Sequence, residues 1–329
     1  MKIVMAHGSG GDMTRQLIEE IFADTYGNEY LSQMEDSTVL PGSEKIAFTT
    51  DSFVVEPLEF PGGDIGRLAV CGTVNDLAMR GAVPKYLTCG FILEEGLEFE
   101  LLKRVVKSMA ETAKEAGVMI VAGDTKVVEG NGGMYINTSG IGFINNDIQA
   151  KRIEAGDVVL VSGTVGDHHS AILSARLGVG NSIASDVAPL NIMVKELLDA
   201  GITIHAMRDI TRGGLATVLN ELAETSGKSI EIEEEDIPVS PVVKSFAGLM
   251  GLEPVYMGNE GKMVVVLPKH EAETALHIMK GNAYGAEACA IGKVYECTPE
   301  EKPELIMKTS IGGSRVLGIL SGEGLPRIC

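Results

Sequence analysis

Apolar and polar positions alternate along this chain in blocks that change period several times. Residues 45–55, "KIAFTTDSFVV", read as a strand. Residues 64–82 carry an apolar helical pattern that runs out at Gly81, and 84–93, "PKYLTCGFIL", return to strand character. In 98–116, Leu101, Leu102, Val105, Val106, Met109, Ala110 and Ala113 fall on one face of a helix, which Gly117 ends. Strands follow at 118–124 and 133–144. Before all of these, residues 1–43 are polar and glycine-rich around one short amphipathic helix near 13–23.

"KRIEAGD" (151–157) reads as a break. After it, 157–163 predict a strand, helices fit near 166–178, 189–200, 213–226, 240–250 and 269–281, and strands fit near 229–233, 262–267 and 287–294. Residues 312–329 hold five glycines and one proline and show no usable period. The expected organisation is an N-terminal segment (1–43), an α/β domain (44–150), a second α/β domain (151–308) and a mobile tail (309–329). Sheets layered with helices place the chain in the α/β (α+β) class.

Composition narrows the function. The chain has 329 residues, 45% hydrophobic and 22% charged, with no Trp, so its core is aliphatic. A net charge of −19 argues against nucleic acid or an anionic membrane as partner, yet not against ATP, which backbone amides and Mg²⁺ can hold. No apolar run reaches transmembrane length. The five cysteines are odd in number and form no CxxC pair, which suits a reduced, cytoplasmic protein.

Candidate chemistry lies mostly in acidic residues. Asp51, Asp124 and Asp209 each close an apolar, strand-like run. Asp64 and Asp76 are twelve residues apart on one helical stretch, a little over three turns, so they can share a face. Converging carboxylates without basic partners invite Mg²⁺, although any single Asp is equally at home as a cap or turn residue. "HGSGGD" (7–12) precedes a helix and could let amides approach a phosphate; it is not a Walker A loop, and a plain loop is the competing reading. Lys126 in "GDTK" and Glu260 in "GNEGK" are candidate bases if desolvated, and otherwise solvated charges. His168 and His169 read as surface or capping residues, and Cys71 and Cys89 as buried filler. Cys329 is the last residue, beyond Pro326 and several glycines. A thiol placed there suits a carrier that visits two places.

Together, "AHGSGG", "TTDSFVV", "VNDLAMRGA", "VAGDTKVV", "RDITRGGL", "GNEGK" and the terminal "PRIC" resemble the HypE family of hydrogenase maturation proteins. That family is a branch of the superfamily containing aminoimidazole ribonucleotide synthetase and selenophosphate synthetase. The resemblance covers essentially the whole chain, and "PRIC" is its most specific element. It implies an aminoimidazole ribonucleotide synthetase-like fold in two domains, with N-terminal sheets pairing across a homodimer. It implies that Gly8, Ser9, Gly10 and Gly11 cover ATP, with Asp51, Asp64, Thr73, Asn75, Asp76, Asp124 and Asp209 around the nucleotide, and Asp51, Asp76, Asp124 and Asp209 on Mg²⁺. Cys329 would receive a carbamoyl group from the carbamoyltransferase HypF. ATP-dependent dehydration would turn it into a thiocyanate, with Lys126 and Glu260 as candidate bases. The cyanide would pass through the HypC–HypD complex to the iron of [NiFe]-hydrogenase. Two alternatives stay open: a superfamily sibling acting on a free small molecule, and an ATP-gated carrier without chemistry.

Overall fold

The computed structural model describes residues 2–8, 12–33, 37–298 and 302–320. Ser9, Gly10, Gly11 and Cys329 lie outside them. The chain begins with α1 (Asp12–Leu17), which runs through a π-turn into α2 (Asp24–Tyr26). Then come β1 (Ile46–Phe53), the small hairpin of β2 (Glu59–Phe60) and β3 (Gly63–Asp64), α3 (Ile65–Met79), β4 (Ala82–Glu94), α4 (Phe99–Ala116), β5 (Met119–Val128) and β6 (Met134–Ile144). The four long strands form a sheet in the order β1-β6-β4-β5, with β4 and β5 parallel and the other pairs antiparallel.

One face of this sheet is covered by α3 and α4. The other face exposes Ile46, Phe48, Ile92 and Tyr135. The two helices differ as their sequences do. α4 is amphipathic, and its left-handed Gly117 cap closes it. α3 buries 13 of its 15 residues, because it is enclosed by the sheet on one side and by the second domain on the other. Its polar residues are therefore inside the molecule, and each has to find a partner.

The second domain contains β7 (Val158–Val161), α5 (Asp167–Leu177), α6 (Asn191–Asp199), β8 (Ala206–Asp209), α7 (Gly214–Ser226), β9 (Ser229–Glu233), α8 (Pro241–Met250), β10 (Met263–Leu267), α9 (Ala272–Gly281), β11 (Cys289–Tyr295), β12 (Leu305–Lys308) and β13 (Ser314–Leu317). Its seven-stranded sheet has the order β13-β12-β9-β11-β7-β10-β8. β10 is buried at all five positions, as an inner strand covered on both faces should be.

Two expectations fail. The chain after residue 309 is not all tail: β13 pairs antiparallel with β12, and β12 runs parallel to β9, so the sheet extends to Leu317. The short apolar run of β13 is bracketed by glycines, which hid it from any periodicity test. His168 and His169 are not on the surface. Both are buried, and Ser185 Oγ stands 2.7 Å from His168 Nδ1. Burial lowers the His169 pKa to about 4. Cys71 and Cys89 are buried as expected, and burial pushes both thiols up.

Candidate active site

Four carboxylates gather where the two domains meet. Asp51 lies on the inward, α3-facing side of β1, and its Oδ1 accepts the Ser52 amide at 2.8 Å. Gly72 on α3 makes room there: a Cβ at Gly72 would stand 2.8 Å from Phe53 Cζ and 3.8 Å from Asp51 Oδ2. Asp76 is one turn further along α3 and accepts the Thr49 hydroxyl at 2.8 Å. Asp209 closes β8, which pairs with the Glu260-bearing run through Met263. Glu260 is 3% exposed, and its Oε1 has no hydrogen-bond partner among the described residues.

These groups share a field. Burial raises the Asp76 pKa, with Asp51 adding to it and Arg208 and Arg212 opposing. Burial first, then the Asp76 charge, raises Asp209 to about 7. Glu260 is raised well above the ordinary carboxyl range by burial and then by Asp209, Asp186 and Asp51. Such shifts mark carboxyls whose ionisation is opposed first by burial and then by one another's charge. Thr49, Asp76, Arg80, Met207, Arg208 and Asp209 border a cleft of about 340 Å³ between the domains.

The excess of acceptors, one of them buried and unpartnered, fits a divalent cation. Among the described residues no group of three His, Cys, Asp or Glu side chains is placed to hold a metal ion. That is compatible with Mg²⁺, which commonly takes one or two carboxylates and completes its shell with water and phosphate oxygens.

The other predicted residues are placed differently. Asp124 and Lys126 point to the opposite, exposed face of the sheet on β5. Lys126 Nζ stands 2.6 and 2.7 Å from the two Asp124 oxygens, and this bond lowers the Asp124 pKa. Three strand spacings, about 14 Å, separate β1 from β5, so one chain does not bring Asp124 to Asp51. Asp64 is the N-cap of α3 and accepts the Gly66 and Arg67 amides at 2.7 and 3.0 Å. Cap and Asp76 are about 18 Å apart along the helix, so the two do not meet. Thr73 is buried and bonded to the Thr138 hydroxyl. Asn75 is an interdomain clamp: it donates to Ala188 O at 3.0 Å and Glu260 O at 3.4 Å, and accepts the Leu190 amide at 2.8 Å. Gly8 packs on β5, where a Cβ would come within 2.6 Å of Val127 N. Beside it a cavity of about 440 Å³ is lined by Phe22, Tyr26, Tyr30, Phe91, Asp124 and Lys126.

Sequence reasoning missed Asp186. It is within the irregular segment between α5 and α6, where no period or motif singles it out. Its Oδ1 accepts the Glu260 amide at 3.0 Å. Gly261 permits this approach: a Cβ there would stand 1.8 Å from Asp186 O. Asn259 completes the mount, accepting the Gly166 amide at 2.8 Å and donating to Met257 O at 3.1 Å. The "GNEGK" run thus holds one buried acid with its neighbours, a role visible in the sequence only as a glycine-bracketed Glu.

Two family models match the chain. "AIR synthase related protein, N-terminal domain" covers residues 34–144, and "AIR synthase related protein, C-terminal domain" covers 154–301. The chain is 46% identical to the carbamoyl dehydratase HypE of Rhodobacter capsulatus, over all of this chain and 98% of that protein. It is 44% identical to a crystal structure of hydrogenase maturation protein HypE in complex with ATP, with TM-score 0.96 over 99% of both chains. A HypE chain solved in a HypE–HypF complex is 51% identical, with TM-score 0.80 over 92% of this chain and 99% of that one.

Proposed function

The chain belongs to the HypE family of hydrogenase maturation proteins, and from that premise we propose that it dehydrates an S-carbamoyl group on its own Cys329 to a thiocyanate at the expense of ATP. It is an ATP-dependent carbamoyl dehydratase serving hydrogenase maturation, and HypF is its carbamoyl-donating partner. The observation that carries the reading is Glu260: a buried acid with a free oxygen, beside converging carboxylates that suit Mg-ATP.

The chemistry explains the need for ATP. An amide oxygen does not leave unaided, whereas phosphate does. The thiocarbamate and ATP become thiocyanate, ADP and phosphate, and both nitrogen protons must be taken up. Burial and neighbouring carboxylates raise the proton affinity of Glu260, which favours it as a proton acceptor, and the surrounding protein excludes water from it. Asp51, Asp76 and Asp209 would hold Mg²⁺, which supplies charge neutralisation at the phosphates. Lys126 is the second candidate base, and its Asp124 partner would serve the metal.

Those last two require a second copy. The four-stranded sheet has free edges at β1 and β5 and an exposed apolar face. Joining β1 of one copy to β5 of another would bring the strand that carries Asp51 beside the second copy's strand that carries Asp124, and would cover Ile46 and Phe48. A homodimer therefore unites what one chain separates. The cavity beside Gly8 then suits the adenine. Downstream delivery through HypC–HypD and a cytoplasmic location complete the proposal; no described helix is long and apolar enough to cross a membrane.

Intact and peptide mass spectrometry test the reading. After carbamoylation by HypF, Cys329 should lose the mass of one water only with ATP present. Water loss that survives Cys329→Ala, or turnover of a free small molecule by that variant, would refute it.

A further inference from the structure

Glu260 belongs to the second domain, while Asp51 and Asp76 belong to the first. A base acting beside them has to be set in place across the domain boundary. Residues 185–190, between α5 and α6, make that crossing. Three hydrogen bonds hold them to the first domain. The Ser185 amide donates to Pro61 O at 2.7 Å, Arg67 Nε donates to Val187 O at 3.0 Å, and Asn75 Nδ2 donates to Ala188 O at 3.0 Å. Gly62 lets the backbones approach, since a Cβ there would stand 2.5 Å from Ser185 O.

The same residues hold the backbone of Glu260 at both ends. Asp186 Oδ1 accepts the Glu260 amide at 3.0 Å, and the Ala188 amide donates to Glu260 O at 3.4 Å. Ser185 steadies the segment at that point. Its Oγ stands 2.7 Å from His168 Nδ1 and accepts the Val187 amide at 3.1 Å. Glu260 therefore takes its position from a segment that is itself fixed on the first domain.

Asp186 is an expensive side chain to place here. It is 5% exposed, and its Oδ2 has no hydrogen-bond partner among the described residues. Lys262 Nζ stands 3.6 Å from that oxygen, beyond hydrogen-bonding distance, and donates to Gly261 O at 3.3 Å. A buried carboxylate with so few donors is unfavourable by itself. The hydrogen bond it does make goes to the amide of the candidate base. An apolar residue would fill the same space at less cost and would leave that amide unheld.

We propose that Asp186 is a positioning residue for the dehydration, setting Glu260 against the carboxylates of α3 and β1 through the Glu260 amide. The inference rests on Glu260 as the base and adds what places it. Asp186 acts through Glu260 and not on the substrate. A misplacement of about 1 Å at a reacting group lowers a rate on the order of a hundredfold, so the bond is worth its burial.

The test follows water loss at Cys329 in full-length protein carbamoylated by HypF, read by peptide mass spectrometry over a range of Mg-ATP concentrations. Asp186→Ala removes the acceptor and should slow water loss about a hundredfold at saturating Mg-ATP, with the half-saturating ATP concentration changed less than about twofold. Asp186→Asn keeps an oxygen for the Glu260 amide and should recover the rate to within about tenfold of wild type. Ser185→Ala is milder and loosens the same segment, so it reads the inference even where Asp186→Ala does not fold; it should slow water loss about fivefold at unchanged ATP dependence. Wild-type rates in the Asp186→Ala or Ser185→Ala protein would overturn the inference. Equal losses in the Asn and Ala variants would overturn it too, as would a loss that extra ATP restores. Glu260→Gln separates the two readings. If that variant keeps water loss, the base reading fails and takes this inference with it. If it is inactive while Asp186→Ala turns over like wild type, only the positioning role fails.

Discussion

Replacing Asp209 with Asn should make the metal-free protein more stable above neutral pH. In the folded chain Asp209 holds its proton up to about pH 7, against 3.8 for an ordinary Asp. Burial is the main cause, with the Asp76 and Asp51 charges adding to it. Below pH 4 both the folded and unfolded states are protonated, and the residue has no effect on their balance. Between pH 4 and 7 the unfolded chain releases the proton while the folded chain retains it, so stability falls as pH rises. Above pH 7 the full difference applies. Roughly three pKa units at about 1.4 kcal/mol each set an upper limit near 4 kcal/mol. Because Asp76 and Asp51 share the repulsion, about 2–3 kcal/mol is the expected gain for Asp209→Asn at pH 8. Urea unfolding with a chelator present, at pH 8 and pH 4.5, reads it directly. The advantage should shrink at the lower pH. Mg-ATP should reverse the order, since binding stabilises only the chain that keeps its carboxylate. An Asn variant no more stable than wild type at pH 8 would show that the four carboxylates are not under mutual strain.

Other expectations follow from the same geometry. Asp51→Ala should weaken Mg-ATP binding at least tenfold by calorimetry, with little effect in the absence of Mg²⁺. Glu260→Gln should keep ATP affinity yet abolish water loss at Cys329; persistence of that loss would remove Glu260 as a base. Phe48→Asp places a charge on an exposed apolar residue, 66% accessible in the single chain, and should convert a dimer to monomer in light scattering. Asn75→Ala leaves three backbone groups without their partner and should cost about 2–3 kcal/mol in thermal unfolding.

The major elements were legible because their periods were clean. The face of α4 and the apolar run of β10 announce themselves, and Asp51, Asp76, Asp209 and Glu260 stood out as acids next to strand-like or glycine-rich segments. What the pattern could not convey was direction. Asp51 and Asp124 look alike in sequence, each closing an apolar run, yet they occupy opposite faces of one sheet. The twelve-residue interval between Asp64 and Asp76 suggested a shared helix face, but Asp64 is spent on capping. Asn75 looks like a ligand and is a clamp. Asp186 had no local signal, since its importance comes from segments 70 residues away folding onto it. β13 was lost for the opposite reason: its pairing is tertiary, and its own sequence is too short to declare it.

The burial of α3 on all sides bears on how this protein can be cut. The sequence divides plainly near residue 150, and the two family models part there as well. Yet the helix that seals the second domain belongs to the first. Ala78 and Met79 pack with Leu190, Met193 and Met263, and Asn191 donates to Ala116 O at 2.8 Å. A fragment ending at 150 would present that apolar flank to water, and one starting there would lack a wall of its core. The two halves are separate as modules of ancestry but one body as a material, and a stable split version would have to carry residues 65–79 along with the second half.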